Sequence, residues 1–263
     1  MPRVLACALI LVLSSLACRR AAPPEPHFRV ETRKFERHVP GCGDASRRPE
    51  PCLTFHVQWP EVVEAATPDA AKKINTAIQA RLQPADAPRG LDKEAAEFTA
   101  DYARVHAQFP DASITYFIRR QAQVVYSGPT LVSIEIESSE FRGGPHPNSA
   151  RAYLNLRPRS GAPVELAELL VGGTMPRLLT VAEHAFRRER GIDDGSALSV
   201  AGFSFPTDHF SLPENWGIAK AGLVFHYNPY EVAPYALGPT TILVAWRDLA
   251  GILRPDAGIA ETR

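Results

Sequence analysis

Eight histidines and a scatter of carboxylates are the groups in this 263-residue chain with the chemistry for acid–base catalysis or metal binding. His146 stands in Gly143-Gly144-Pro145-His146-Pro147-Asn148, where a glycine-bent backbone can turn its amides toward a ligand. His226 lies late in an apolar run, beside Tyr227 and Asn228. With His209 these would be the members of a metal site, but no two of them have the short spacing of a motif such as His-Glu-x-x-His. A hydrogen bond from each imidazole to nearby backbone, locking a turn, accounts for both more simply. Glu183-His184 falls on a helical pattern with no second ligand in register, and there is no Gly-x-Ser-x-Gly elbow for a nucleophile. Glu135, Glu137 and Glu140 mimic the carboxylates of a glycosidase, yet the alternation of Glu135 and Glu137 with Ile134 and Ile136 makes them a solvated strand face. The residues therefore predict no catalytic set, no metal site and no cofactor.

Tyr227, Tyr230 and Tyr235 have a different character. Pro229 and Pro234 restrict the backbone between them, and a rigid tyrosine-rich loop loses little entropy when it docks a partner. Packing over a core with the hydroxyl at the surface is the competing account. The candidate ligand-binding residues are thus Gly143, Gly144, His146 and Asn148 on one segment, and His226, Tyr227, Asn228, Tyr230 and Tyr235 on the other.

These residues need a scaffold, and the hydrophobic periodicity supplies one. Phe55, Val57 and Trp59 alternate with polar neighbours as a half-buried strand that Pro60 should stop. Thr67-Pro68 is a cap with proline at the first helical position, followed by Ala71, Ile74, Ile78 and Leu82 at helical spacing. Leu91, Ala95, Phe98, Tyr102, Val105 and Phe109 mark a second amphipathic helix, and Met175, Leu178, Leu179, Ala182 and Phe186 a third, ending near Gly191. Leu166, Leu169 and Leu170 suggest a short helical turn. Strand patterns cover 114–118, 121–126, 131–141, 150–156, 203–205, 210–212, 222–227 and 240–246. Strands that mostly follow one another, with about three amphipathic helices between them, predict an α+β fold with antiparallel β-sheets.

The N-terminus speaks to location. Arg3, an apolar run from Val4 to Leu13 and the small residues before Cys18 have the order of a signal peptide over residues 1–17. The run is shorter than the roughly 20 residues of a membrane-spanning helix. Ser15-Leu16-Ala17-Cys18 resembles a bacterial lipobox, with Cys18 as the lipidation site; Ser15 in place of the commoner leucine also suits ordinary signal cleavage. Residues 18–27 would then be the attachment site and a proline-rich spacer, and 28–263 the folded region, as one domain or as two subdomains of about 28–110 and 111–263. With Cys7 removed and Cys18 acylated, Cys42 and Cys52 remain as a disulfide pair closing a turn-like loop, worth about 2.5–3 kcal/mol on the chain-entropy argument. Two free thiols are the alternative. Equal numbers of basic and acidic residues, 29 of each, leave no basic footprint for nucleic acid.

The order of segments resembles the RsiV-like extracellular domain family. The resemblance is carried by Trp59-Pro60, Ile74-Asn75, the Gly143-Gly144-Pro145-His146 turn, Leu166 to Leu169, and above all the run from Gly222 through Asn228-Pro229-Tyr230 to Ala233-Pro234-Tyr235. It spans roughly Leu53 to Leu253. Members include a lysozyme-sensing anti-sigma factor, the N-terminal part of a peptidoglycan deacetylase and many lipoproteins. Pro145 departs from the family's usual alanine, and the sigma-binding segment, transmembrane helix and carbohydrate-deacetylase domain of those members have no counterpart here. The resemblance implies an envelope setting and binding of a protein such as a muramidase, or of a peptidoglycan-related glycan. A noncatalytic lipoprotein, exported and lipid-anchored on the periplasmic or outer surface, is the expectation. A hydrolase or metal-dependent enzyme acting on envelope glycans, and a purely structural lipoprotein, are the alternatives.

Overall fold

The computed structural model describes residues 28–39, 52–84, 87, 90–109 and 115–259. The expected signal peptide, the acylated Cys18, the spacer, Cys42 and the side chain of Cys52 lie outside the described residues. Among the described residues no helix is long and apolar enough to cross a membrane.

A five-stranded sheet is formed by β1 (Arg29–His38), β2 (Cys52–Glu64), β3 (Thr115–Ser127), β4 (Val132–Phe141) and β5 (Asn148–Leu156), in that spatial order. A second sheet contains β6 (Trp216–Ala219), β7 (Gly222–Tyr227) and β8 (Thr240–Ala245). The α+β expectation holds, with one exception to antiparallel pairing: β2 and β3 run parallel. Two helices, α1 (Pro68–Leu82) and α2 (Leu91–Gln108), occupy the connection between them, and a parallel pair requires a crossover of that kind.

Thr67 accepts a hydrogen bond from the Ala70 amide through Oγ1 at 3.1 Å, so the expected cap starts α1. Ala70, Ile74, Ile78 and Leu82 then share one buried stripe over Leu53, Phe55 and Val57 of β2. From α2, Phe98 packs between Phe55 and Tyr116. Beneath these rings Glu94 and Arg120, each about 5% exposed or less, form a two-point ion pair at 2.9 and 2.7 Å. The second sheet is covered by α3 (Met175–Arg190), whose Leu178, Ala182, Ala185 and Phe186 are buried. Gly191, at φ 63°, ends it in the left-handed conformation that glycine adopts without strain.

Several expectations need correction. Pro60 does not stop β2: parallel pairing with β3 ends at Gln58, so the missing N–H of Pro60 falls where one side of the strand carries no ladder. The patterns at 114–118 and 121–126 are one strand, β3. Residues 203–205 and 210–212 are not strands but coil around a 3₁₀ turn at Pro206–Asp208, and Phe203, Phe205 and Phe210 gather around Phe186 instead. β1 and β6 were not anticipated.

Candidate ligand-binding site

The β4–β5 connection has the backbone its glycines suggest: Gly143 and Gly144 take φ 81° and 110°, and nothing lies within 4 Å of where a Cβ would project from either. His146 follows, and its Nδ1–H donates to the Pro147 carbonyl at 3.0 Å. That bond leaves Nε2 as the acceptor in the neutral ring, and the Tyr230 hydroxyl reaches it at 3.3 Å. Tyr235 stacks on the same imidazole with centroids 3.7 Å apart, and its hydroxyl donates to the Pro147 carbonyl at 3.2 Å. The two candidate segments therefore meet. Tyr230 is 64% exposed and adopts φ 71°, a conformation uncommon for a residue with a Cβ, so the loop holds this ring outward at some cost in strain.

The other candidates serve the scaffold. The Asn228 side chain acts as a strand partner for the free edge of β5, accepting from the Arg151 amide at 2.7 Å and donating to the Arg151 carbonyl at 3.1 Å. Asn215 does the same one step along, to the Tyr153 amide at 3.0 Å and the Arg151 carbonyl at 2.7 Å. Two asparagines thus close an edge strand and join the sheets. Tyr153 lies on Gly217, where a Cβ would run into its ring. Tyr227, expected at the binding edge, instead points into the core and donates to the Ser211 carbonyl at 2.6 Å. Burial pushes its phenol pKa up. His226 is buried against the Thr241 hydroxyl at 2.7 Å. Burial first, and then the positive charge of Arg151, lowers its imidazole to about 4.

Between this joint and the face of the first sheet opposite α1 and α2 lies a groove of about 680 Å³. Its floor is built of cross-strand rows: His56, Arg119, Ser139 and Ser149 in one, Gln121, Glu137 and Arg151 in the next. Asn228, Pro229 and Pro239 stand along one side. The loop that presents Tyr230 is therefore also a wall of the groove. Arg151 spans the floor, paired with Glu137 and 3.6 Å from Glu135. Glu135 is not the solvated carboxylate its alternation suggested: its side chain is 13% exposed, and it accepts from Tyr153 at 2.7 Å and Gln123 at 2.8 Å. The reason is the second sheet, which covers this end of the polar face. Burial, followed by the bond to Glu135, raises the Tyr153 phenol pKa.

His146, Tyr230 and Tyr235 come together, with Gly143 and Gly144 shaping the turn; Asn148 opens β5 opposite Glu140, exposed beside them. His209 is exposed at the end of the 3₁₀ turn, and Glu183 is engaged by Arg187. Among the described residues no three His, Cys, Asp or Glu side chains converge on a metal-binding geometry. Sequence reasoning missed His56, Arg119, Ser139, Ser149 and Arg151. Their even spacing along strands was visible, but which polar face would be roofed depends on the second sheet.

Residues 47–149 match the family described as Deacetylase PdaC, and residues 167–247 match the family described as Protein of unknown function (DUF3298). The first match takes in the Gly143–Asn148 turn, the second the Asn228–Tyr235 loop, so the site is assembled from both. Comparison with curated proteins finds no match. Among solved structures, a DUF3298 family member from Bacteroides fragilis aligns with TM-score 0.66 at 19% identity, over 88% of this chain and 95% of that one. A DUF3298 family protein from Pseudomonas aeruginosa aligns with TM-score 0.60 at 20% identity, over 89% of this chain and 97% of that one. These likenesses show a shared fold.

Proposed function

We propose that the chain is a noncatalytic, lipid-anchored module of the bacterial cell envelope that binds a peptidoglycan-related glycan in the groove beside Tyr230. The observation that carries this reading is the exposed Tyr230, held outward by the His146–Tyr235 stack on a loop whose Asn228 and Pro229 wall a polar groove. Sugars offer apolar ring faces and a rim of hydroxyls. An aromatic ring next to a floor of serine, glutamine, arginine and glutamate complements both. The cluster is already ordered by its own hydrogen bonds, so docking loses little conformational entropy. The signal-like N-terminus, the resemblance to RsiV-like extracellular domains and the match to Deacetylase PdaC support the setting. A concave polar groove favours a glycan chain over the broad surface of a muramidase.

The test is capture of the purified domain on sacculi and, separately, on immobilised muramidase. Retention on sacculi, competed by soluble glycan fragments and lost in Tyr230→Ala without a change in melting temperature, is the expected result. Retention on muramidase alone would replace the ligand, and retention on neither would leave a structural lipoprotein. Release of reducing ends or acetate from the sacculi would overturn the noncatalytic assignment. In the native host, Cys18→Ala should move the protein out of the membrane fraction.

A further inference from the structure

We infer that the groove selects a saccharide bearing a carboxylate, with Arg119 as the partner of that carboxylate. This deepens the glycan reading and rests on it. The charges that line the groove are nearly all accounted for by partners or burial. Glu137 is held by Arg151, and Glu135 is shared among Tyr153, Gln123 and Arg151. His56 is 3.0 Å from Glu36 of β1. Arg120 contributes to the lining, but its guanidinium lies on the opposite side of the sheet, paired with Glu94. His226 is neutral at pH 7 because burial holds it well below its ordinary range. Of the charged groups that line the groove, this leaves Arg119, which has no carboxylate within ion-pair distance among the described residues; Lys34, exposed on β1 in the neighbouring row, lies outside the lining.

Arg119 is exposed, and its surroundings orient it for binding. Its guanidinium lies 5.0 Å from the centroid of the Phe117 ring, a position that fixes its plane. In the same cross-strand row stand Ser139 and Ser149, whose hydroxyls have no hydrogen-bond partner among the described residues. A planar five-donor fork with two hydroxyls following it along the row matches a carboxylate attached to a hydroxyl-rich body. One unpaired positive charge in the lining matches one negative charge. Strands lie about 4.8 Å apart, so a row across β2 to β5 spans roughly 14 Å, long enough for more than one sugar ring.

Calorimetric titration of the full folded domain with two tetrasaccharides tests this. One alternates N-acetylglucosamine with N-acetylmuramic acid; the other, of N-acetylglucosamine alone, lacks the lactyl ethers that carry the carboxylates, and Arg119→Gln separates the charge from the rest of the lactyl group. The acidic probe should bind about tenfold tighter or better, as expected of a charge-assisted bond, and the advantage should shrink with added salt. Arg119→Gln should bring the two affinities together, and Arg119→Lys should keep part of the difference. Arg119 is exposed, so neither variant should melt differently from the native protein. Equal affinity of both probes for the native domain, or an undiminished preference in Arg119→Gln, would overturn the inference and leave glycan binding intact. Binding of neither probe would overturn the inference and the glycan reading together.

Discussion

The imidazole of His146 lies flat against the phenol ring of Tyr235, planes 13° apart and centroids 3.7 Å apart, and both side chains meet at the Pro147 carbonyl. Two loops from different parts of the chain are fastened by one stacked pair and one shared acceptor. Tyr235→Phe keeps the stack and loses only the hydroxyl bond, so it should cost about 1 kcal/mol. Tyr235→Leu removes the ring as well, adding about 0.5–1.5 kcal/mol for the aromatic pair. In NMR spectra the His146 ring protons should move downfield in Tyr235→Leu and stay put in Tyr235→Phe. Unmoved resonances in both variants would show that the stack is absent in solution.

Asn228 carries the joint between the sheets. Asn228→Ala leaves the Arg151 amide without its partner at a half-buried edge, while Asn215 still holds the carbonyl, and this should cost about 1–3 kcal/mol in urea denaturation. Asn228→Asp keeps the acceptor but sets a carboxylate against the Arg151 carbonyl, so it should rescue little. If both variants denatured with the native midpoint, the side-chain amide would not be closing the edge of β5.

How far these relationships were legible in the sequence depended on whether local pattern or assembly decided them. The helices declared themselves, because Ile74, Ile78 and Leu82, or Leu178, Ala182 and Phe186, bury one face at a period no strand shares. β1 did not: nearly every residue of Arg29–His38 is exposed, so an edge strand rich in charge leaves no alternation to read. Phe203, Phe205 and Phe210 alternate like a strand, but their rings answer to Phe186 rather than to a neighbouring ladder. The Gly143–Asn148 turn and the Asn228–Tyr235 loop were recognisable as rigid segments from their glycines and prolines. The roles within them were not, because Tyr227 and Tyr230 look alike in sequence while one is buried and the other exposed. The groove was hidden for the same reason: Arg119 and Glu135 lie on one polar face, and only the second sheet separates a covered end from an open one.

Glu94 and Arg120 are a buried ion pair with two contacts, on the opposite side of the sheet from the groove floor. Arg120→Met strands the buried Glu94 carboxylate and should destabilise by about 3–5 kcal/mol, whereas Glu94→Leu leaves Arg120 with Glu140 at 3.8 Å and should cost somewhat less. The double variant should recover much of that loss, because no charge is then left alone. A double-mutant cycle by chemical denaturation measures this, and strictly additive losses would mean the two groups do not act as a pair.

His226 gives the fold a pH dependence with a defined sign. Burial, with help from Arg151, sets its folded pKa at about 4, below the ordinary 6.5 of the unfolded chain. Between those values the unfolded state binds the proton and the folded state does not, so proton uptake favours unfolding. The stabilisation is complete above about pH 6.5 and is lost as the pH falls toward about 4. Carboxylates titrate in the same range, so the informative quantity is the difference between the native protein and His226→Gln, which can still reach the Thr241 hydroxyl. That difference in unfolding free energy should be level above pH 6.5 and should shift steadily against the native protein down to pH 4. Parallel curves across the window would mean that His226 is as free to take up a proton in the folded protein as in the unfolded one.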